Sequence, residues 1–330
     1  MKVCMIGSTG HCNYVLDGID AGSDVKIVGI APGSAEEDVR KLCKDVVSKG
    51  HAPQKFDDYK RMLDTLKPDI AVVACYFGDH AKVTLAALER GIHVFAEKPV
   101  ATTFEDLETV KNAFKGAGVC LSAMFGIRYT PWFLTAWKAV RAGAIGKIRV
   151  MNAQKSYKLG LRGNHFRNRK MYGGTIPWVG SHAIDWLYWF SGEKFESVYA
   201  SHSAQYNHNH GDLEVSALCH FTFSNEVFGS VNIDYLRPHN APSHDDDRIR
   251  IAGTSGVIEI RDQNVYLINS EAEGIQALSL QKEENIFVDF LRHVQGTGQC
   301  MISAADAFAV TDACLKARLS ADEKRMVYFT

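Results

Sequence analysis

The sequence predicts a parallel α/β domain followed by an α+β domain with a large, mostly antiparallel sheet. Three observations carry that reading. The first third alternates short apolar runs with longer helical patterns, the cadence of βαβ units. After Ile145 the strand-like runs lengthen and are separated by little more than turn residues, the pattern of hairpins. The chain has 330 residues, enough for two domains of ordinary size. A cut near residue 122 gives domains over 1–122 and 123–330, with the helix over 303–320 expected to pack back on the first.

Taken in order, 2–6 reads as a strand and 12–19 as the helix after it. Residues 25–30 form a second strand, 36–49 a helix, 59–66 a short helix and 70–75 an apolar strand. The helix over 80–90 ends at Gly91, placed as a C-cap. A strand over 93–96, a helix over 103–115 and a strand over 119–125 complete the parallel part. In the second part the strands are 147–159, 197–203, 213–223, 227–236, 248–253, 257–261 and 264–268. Turn pairs such as Ser224-Asn225 and Asp262-Gln263 join several of them. One helix over 178–190 interrupts the strands, and helices over 285–295 and 303–320 close the chain.

Composition narrows the function. Net charge is −1 and no basic run stands out, so nucleic acid is not an expected partner. No apolar stretch is long enough to span a bilayer, and the first residues lack the layout of a signal peptide. The eight cysteines form no CxxC pair, which fits reduced thiols and a cytoplasmic protein.

The first strand runs into "IGSTGHCNY". A glycine-rich first turn in a parallel α/β fold lets backbone amides meet a pyrophosphate. Gly7 and Gly10 fit such a turn, although Thr9 and Cys12 stand where the full GxGxxG spacing has glycine. The second strand ends in Ala31, where an acidic residue would bind adenosine ribose hydroxyls. Gly33 and Ser34 leave room for a 2′-phosphate but no arginine follows, so NAD and NADP both stay open. Further on, "VFAEKPVATT" places Lys98 just past a parallel strand, with Pro99 restricting it to extended geometry. The Lys98–Pro99 bond is a candidate for the cis form.

Three stretches occur in order: "AALERGIHVFAEKPVATTFED", "FGIRYTPWFLTAWKAVRAGAIGKIR" and "GGTIPWVGSHAIDWLYWFSG". Together they resemble the glucose-fructose oxidoreductase / inositol dehydrogenase / rhizopine catabolism MocA (Gfo/Idh/MocA) family, over essentially the whole chain. The resemblance implies an N-terminal Rossmann domain that binds NAD or NADP. It implies a C-terminal domain whose open sheet face forms a homo-dimer or homo-tetramer interface. It also implies a cofactor site over Gly7, Ser8, Thr9, Gly10, His11, Ser34, Tyr76, His80, Glu97 and Lys98. Lys98 is then expected to touch substrate and nicotinamide and to assist proton transfer. Gly173, Gly174, His182 and Asp185 match a family motif whose histidine accepts the proton, while Trp178 stands where that motif has an aspartate. His182 and Asp185, three apart, share a helical face, so the carboxylate can orient the imidazole.

Catalysis is therefore expected from Lys98, His182 and Asp185, and substrate binding from Lys98, Tyr157, Arg167, Trp178, His182 and Arg237. An indole at 178 packs on the apolar face of a sugar ring. Tyr157, Arg162, His165, Arg167 and Arg169 precede the helix as a polar cluster, and Arg237 and His244 lie beside strand ends. His202, His208 and His210, like His239, His244 and Asp245–Asp247, match no metal-ligand spacing and read as solvated loops, so no metal is expected. The expected activity is hydride transfer between a nicotinamide cofactor and a sugar, cyclitol or related polyol. The alternatives are transient redox coupled to elimination or addition on a sugar, and a cofactor-binding regulator without turnover.

Overall fold

β1 (Lys2–Ile6) is buried at every residue but its first, which is the mark of a strand covered on both faces. In the computed structural model, which describes residues 1–20 and 22–329, it lies at the centre of a parallel sheet. α1 (Asn13–Leu16), β2 (Lys26–Ala31), α2 (Arg40–Ser48), β3 (Gln54–Lys55), α3 (Tyr59–Leu66) and β4 (Ile70–Val73) follow. α4 (His80–Leu88), β5 (His93–Ala96), α5 (Phe104–Ala117) and β6 (Leu121–Ala123) complete the alternation. The strand order is β3-β2-β1-β4-β5-β6, all parallel. Local chemistry sets the helix ends. Asp58 caps α3 by accepting from the Lys60 and Arg61 amides, and Thr103 caps α5 by accepting from Asp106.

Two differences from the sequence reading have simple causes. α1 is four residues long instead of eight, because the Gly18 amide closes a turn onto the Val15 carbonyl. α2 starts at Arg40 instead of 36, because the preceding residues form a loop in which Glu36 takes a φ of 59°. β3 is two exposed residues and carries no apolar signal.

The second sheet is built from long strands. α6 (Pro131–Arg141) leads into β7 (Ile148–Tyr157), then α7 (Arg169–Tyr172), a π-helical turn at Ile176–Gly180 and α8 (Ser181–Ser191). β8 (Phe195–Ser203), β9 (Ser216–Phe223), β10 (Val227–Asp234), β11 (Asp245–Gly253), β12 (Gly256–Arg261), β13 (Asn264–Asn269) and β14 (Ala272–Ala277) follow. α9 (Ile286–Val294), α10 (Ala304–Glu323) and β15 (Val327–Tyr328) end the chain. The order is β14-β13-β12-β11-β7-β10-β9-β8-β15, antiparallel except where β7 and β10 run parallel. Strands such as β9 and β10 alternate buried and exposed residues, so one face is covered and the other open. Asp245–Asp247, read from sequence as a loop, are the first residues of β11, held there by pairing with Tyr157, Ser156 and Lys155 of β7.

Contacts divide the chain into two units. One holds Met1–Gly126, Lys170–Gly173 and Glu284–Thr311; the other holds Ile127–Arg169, Gly174–Glu283 and Asp312–Thr330. Residues 284–311 join the first because α9 packs on its sheet. Phe287 and Phe290 lie 5.2 and 5.3 Å from the Phe95 ring of β5, and Asn285 donates to the Tyr14 carbonyl at 3.1 Å.

Candidate active site

The carboxyl ends of β1, β2, β4 and β5 gather the residues that the sequence marks for a nucleotide. The turn after β1 holds Gly7 at φ 87° and Gly10 at φ 96°. A side chain at Gly7 would run into the Cys75 backbone, and one at Gly10 into the Glu97 carboxylate, so only glycine fits either place. The Gly7 amide donates to Ala31 at 2.9 Å and the Thr9 amide to Ala74 at 2.6 Å, which ties the turn to its neighbouring strands. The amides of Gly10 and Asn13 find no acceptor among the described residues. A tight turn with unspent amides at a strand-to-helix junction fits a dinucleotide pyrophosphate.

Glu37 is a site residue that sequence reading missed. Its carboxylate, on a side chain only 8% exposed, reaches back to both loops. It accepts from the Ser8 amide at 2.9 Å, Thr9 Oγ1 at 3.1 Å, the Gly33 amide at 3.0 Å and the Ser34 amide at 3.3 Å. Burial pushes its pKa up, and those four donors pull the other way. Ser34 Oγ in turn accepts from the Tyr76 amide at 3.0 Å.

The Lys98 turn is fastened to the glycine turn through Glu97. Glu97 is fully buried and accepts from the backbone amides of His11 and Lys98, each at 2.8 Å. Its Oε1 also makes a very short contact with His11 Nδ1. Burial alone would raise the Glu97 carboxyl; the charges of His11 and Lys98 and the His11 hydrogen bond outweigh it and hold it down to about 2. Lys98 is 2% exposed and its bond to Pro99 is cis. His80, fully buried, brackets the turn from behind, with Nδ1 2.7 Å from the Pro99 carbonyl and Nε2 3.0 Å from that of Cys75. The ring therefore faces two carbonyls of the scaffold, one of them in the Lys98-Pro99 turn.

In the second unit the π-helical turn carries Trp178 and runs directly into α8, which carries His182 and Asp185. Such turns widen a helix by one residue and recur at functional sites. His182 is 2% exposed. Asp185 forms a buried ion pair with Arg128, whose Nε lies 2.9 Å from Oδ2 and 3.1 Å from Oδ1. Arg128 was not singled out in the sequence, where it follows an unremarked Gly-Ile pair.

The parallel pair β7 and β10 ends at a polar cluster on the covered face. Lys155, 1% exposed, donates to Asp247 at 2.6 Å, and its ammonium lies 4.8 Å from the Tyr157 ring centroid and 5.5 Å from that of Trp186. His244 stacks on Tyr157 at 4.9 Å. Strand alternation places Met151, Ala153, Lys155 and Tyr157 on one face, so a lysine among inward positions was the available signal. Arg237 donates to Ser243 of its own loop and, at 3.2 Å, to Asp246 of β11. Arg167 is exposed on a 3-10 turn. Arg169 pairs with Glu214 and Asp322, and His202 lies 3.3 Å from Asp322 in the same network. No group of three or more His, Cys, Asp or Glu side chains suited to a metal occurs among the described residues. No helix there is long and apolar enough to cross a membrane.

Residues 1–125 match the family model "Oxidoreductase family, NAD-binding Rossmann fold", and 133–259 match "GFO/IDH/MocA C-terminal domain". A solved structure of a putative oxidoreductase from Thermotoga maritima is 50% identical, with a TM-score of 0.96 and complete coverage of both chains. Myo-inositol 2-dehydrogenase of Thermotoga maritima is 23% identical over 92% of this chain and 93% of that one. D-glucoside 3-dehydrogenase of Escherichia coli is 32% identical over 39% of this chain and 38% of that one. The chain spans 32–38% of the length of the first curated relatives it matches. With both family models matched on its two sheets, the chain belongs to the Gfo/Idh/MocA family of NAD(P)-binding oxidoreductases.

Proposed function

We propose that the protein oxidises or reduces a CH–OH group of a sugar, cyclitol or related polyol, with NAD as the preferred cofactor. The observation that carries this reading is Glu97, which fixes the glycine turn and the Lys98 turn to one another from a fully buried position. A lysine held so rigidly beside a nucleotide turn supports chemistry at a carbinol.

The nicotinamide, when bound, supplies the hydride acceptor or donor. The chain manages the proton. His182 is assigned the acceptance of the hydroxyl proton as the carbon–hydrogen bond breaks, and Lys98 the donation of a hydrogen bond to substrate. Glu97 balances the Lys98 charge at close range. Asp185, bound to Arg128, fixes α8 and through it the direction of His182. The amides of Gly10 and Asn13 would take the pyrophosphate. NAD is favoured because the Ser8, Gly33 and Ser34 amides, which a 2′-phosphate would need, already serve Glu37, and its negative charge repels such a group. The relatives named above, acting on myo-inositol and a D-glucoside, support the substrate class.

The test is Lys98→Ala assayed with NAD and a panel of sugars and inositols. Turnover should fall by a factor on the order of 10²–10⁴, the usual contribution of a proton-transfer group. NAD affinity, read by nucleotide fluorescence, should change little. Wild-type rates in the variant would remove Lys98 from the mechanism. Tight NAD binding by the unaltered protein with no turnover on any polyol would instead make it a cofactor-binding regulator.

A further inference from the structure

The π-helical turn at Ile176–Gly180 is held at both ends by groups outside its own hydrogen-bond ladder. At its start, Thr175 is 1% exposed and its side chain makes no local cap. The Thr175 amide is one of those that a helix start leaves without an intrahelical partner, and Pro177 has no amide to offer. Glu214 meets this need from 39 residues away. Its Oε2 accepts from the Thr175 amide at 3.0 Å, and its backbone carbonyl accepts from Thr175 Oγ1 at 2.7 Å. At the other end, Ser181 Oγ donates to the Trp178 carbonyl at 2.7 Å. Gly180 lies so close to β10 that a side chain there would come within 2.4 Å of the Ile233 side chain.

Glu214 is itself fixed in place. It is 5% exposed, and Arg169 Nη2 lies 2.7 Å from its Oε1 while Arg169 Nη1 reaches Asp322 of α10 at 2.8 Å. The next residue, Val215, donates to the Ser203 carbonyl and accepts from the Tyr235 amide, each at 2.8 Å. These bonds tie the segment to the ends of β8 and β10. The two carboxylate oxygens have separate partners: Oε1 serves the arginine and Oε2 the amide. A residue kept only to neutralise Arg169 would have no need of Thr175, yet two of these contacts go there.

A π-turn is a rare conformation that persists where its surroundings over-determine it. Closing it to an α-turn would rotate the residues ahead of α8 by up to about 100° about the axis, the angle that one residue subtends. Trp178 would then leave the rings it packs on, Phe166 at 4.1 Å and Tyr235 at 5.8 Å, while His182 stays with its helix. We propose that Glu214 is a positioning residue for the reaction: as the distant cap of the π-helical turn, it sets the direction of Trp178 relative to His182 and so governs turnover and not cofactor binding. The proposal rests on the reading of the protein as a sugar oxidoreductase in which His182 accepts the proton.

The experiment compares Glu214→Ala, Glu214→Gln and Ser181→Ala with the parent. Three quantities are read: kcat with NAD and the best polyol of the panel, NAD affinity by nucleotide fluorescence, and tryptophan emission. Trp178→Phe placed in each background isolates the emission of Trp178. Glu214→Ala strands the Thr175 amide, so kcat should fall by a factor on the order of 10² while NAD affinity holds. Its emission should shift, and the shift should vanish in the Trp178→Phe background. Glu214→Gln keeps an oxygen for the amide while losing the charge toward Arg169, and should restore most of kcat and the parent emission. Ser181→Ala releases the other end and should move kcat and emission the same way, so the test survives if Glu214→Ala folds poorly. Parent kcat or parent emission in a folded Glu214→Ala, or in Ser181→Ala where that variant alone folds, would overturn the proposal. So would a Glu214→Gln as impaired as Glu214→Ala, since the charge and not the cap would then matter. An emission shift that glutamine reverses, in a protein that turns over no polyol, would sustain the cap and end the oxidoreductase reading.

Discussion

Glu37 ties two loops of the nucleotide end together from a position the sequence does not mark. The acidic residue that selects NAD usually stands at the end of the second strand, and here that place is Ala31. The chain loops for eight residues before α2, and Glu37 reaches back from that loop to the donors of two turns. Replacing it by alanine frees those amides and removes the charge. Glu37→Ala should therefore raise the ratio of NADP to NAD efficiency by tenfold or more, at a stability cost of roughly 1–3 kcal/mol from the buried donors left unmet. Efficiencies measured with both cofactors would check it, and an unchanged ratio would acquit Glu37. Nothing in the sequence announced this role, because a glutamate in an apparent helix has no local pattern that points it backward. Lys98 and His182 were legible because each sits in a dense motif. Arg162 was visible only as one of several basic residues, since its aromatic partners Trp178 and Tyr235 come from distant strand and helix ends.

α8 is apolar around most of its surface, and His182 and Asp185 are buried with it. Periodicity located the helix but not its π-helical lead-in, since the extra residue leaves the apolar pattern unbroken. The spacing of His182 and Asp185 suggested a carboxylate serving the imidazole, while the fold gives Asp185 a full salt bridge with Arg128. A buried pair of this kind is costly to break from one side. Asp185→Asn should cost about 3–5 kcal/mol, because it strands the guanidinium. Replacing Arg128 and Asp185 together by leucine should recover most of that loss. Urea unfolding of the three variants measures it. If Asp185→Asn were as stable as the parent, the aspartate would act on the reaction alone and not as the anchor of its helix.

The nine-stranded sheet raises the question of what covers its open face. Helices cover the other face, where the alternating residues of β9 and β10 are buried. The open side presents Val150, Tyr199, Leu218 and Phe228 on four neighbouring strands, with Leu218 58% exposed. The register sets Phe228 opposite Val150, and Tyr199 opposite His220, whose ring stacks on Phe228. Val150, Phe228, His220 and Tyr199 therefore lie side by side, with Leu218 two residues from His220 along β9 and opposite Ser201 and Asn232. A contiguous apolar patch on a broad, regular sheet is costly to leave in water and is self-complementary about a two-fold axis. The protein should therefore run as a dimer, or a tetramer built from such dimers, in light scattering coupled to size exclusion. Leu218→Glu combined with Phe228→Glu puts like charges on both halves of that interface and should shift the mass toward the monomer. Both positions point away from the covered face, so the secondary structure seen by circular dichroism should persist. A wild-type protein that stays monomeric at micromolar concentration would mean that the face is solvated and that its apolar residues serve only the strands that carry them.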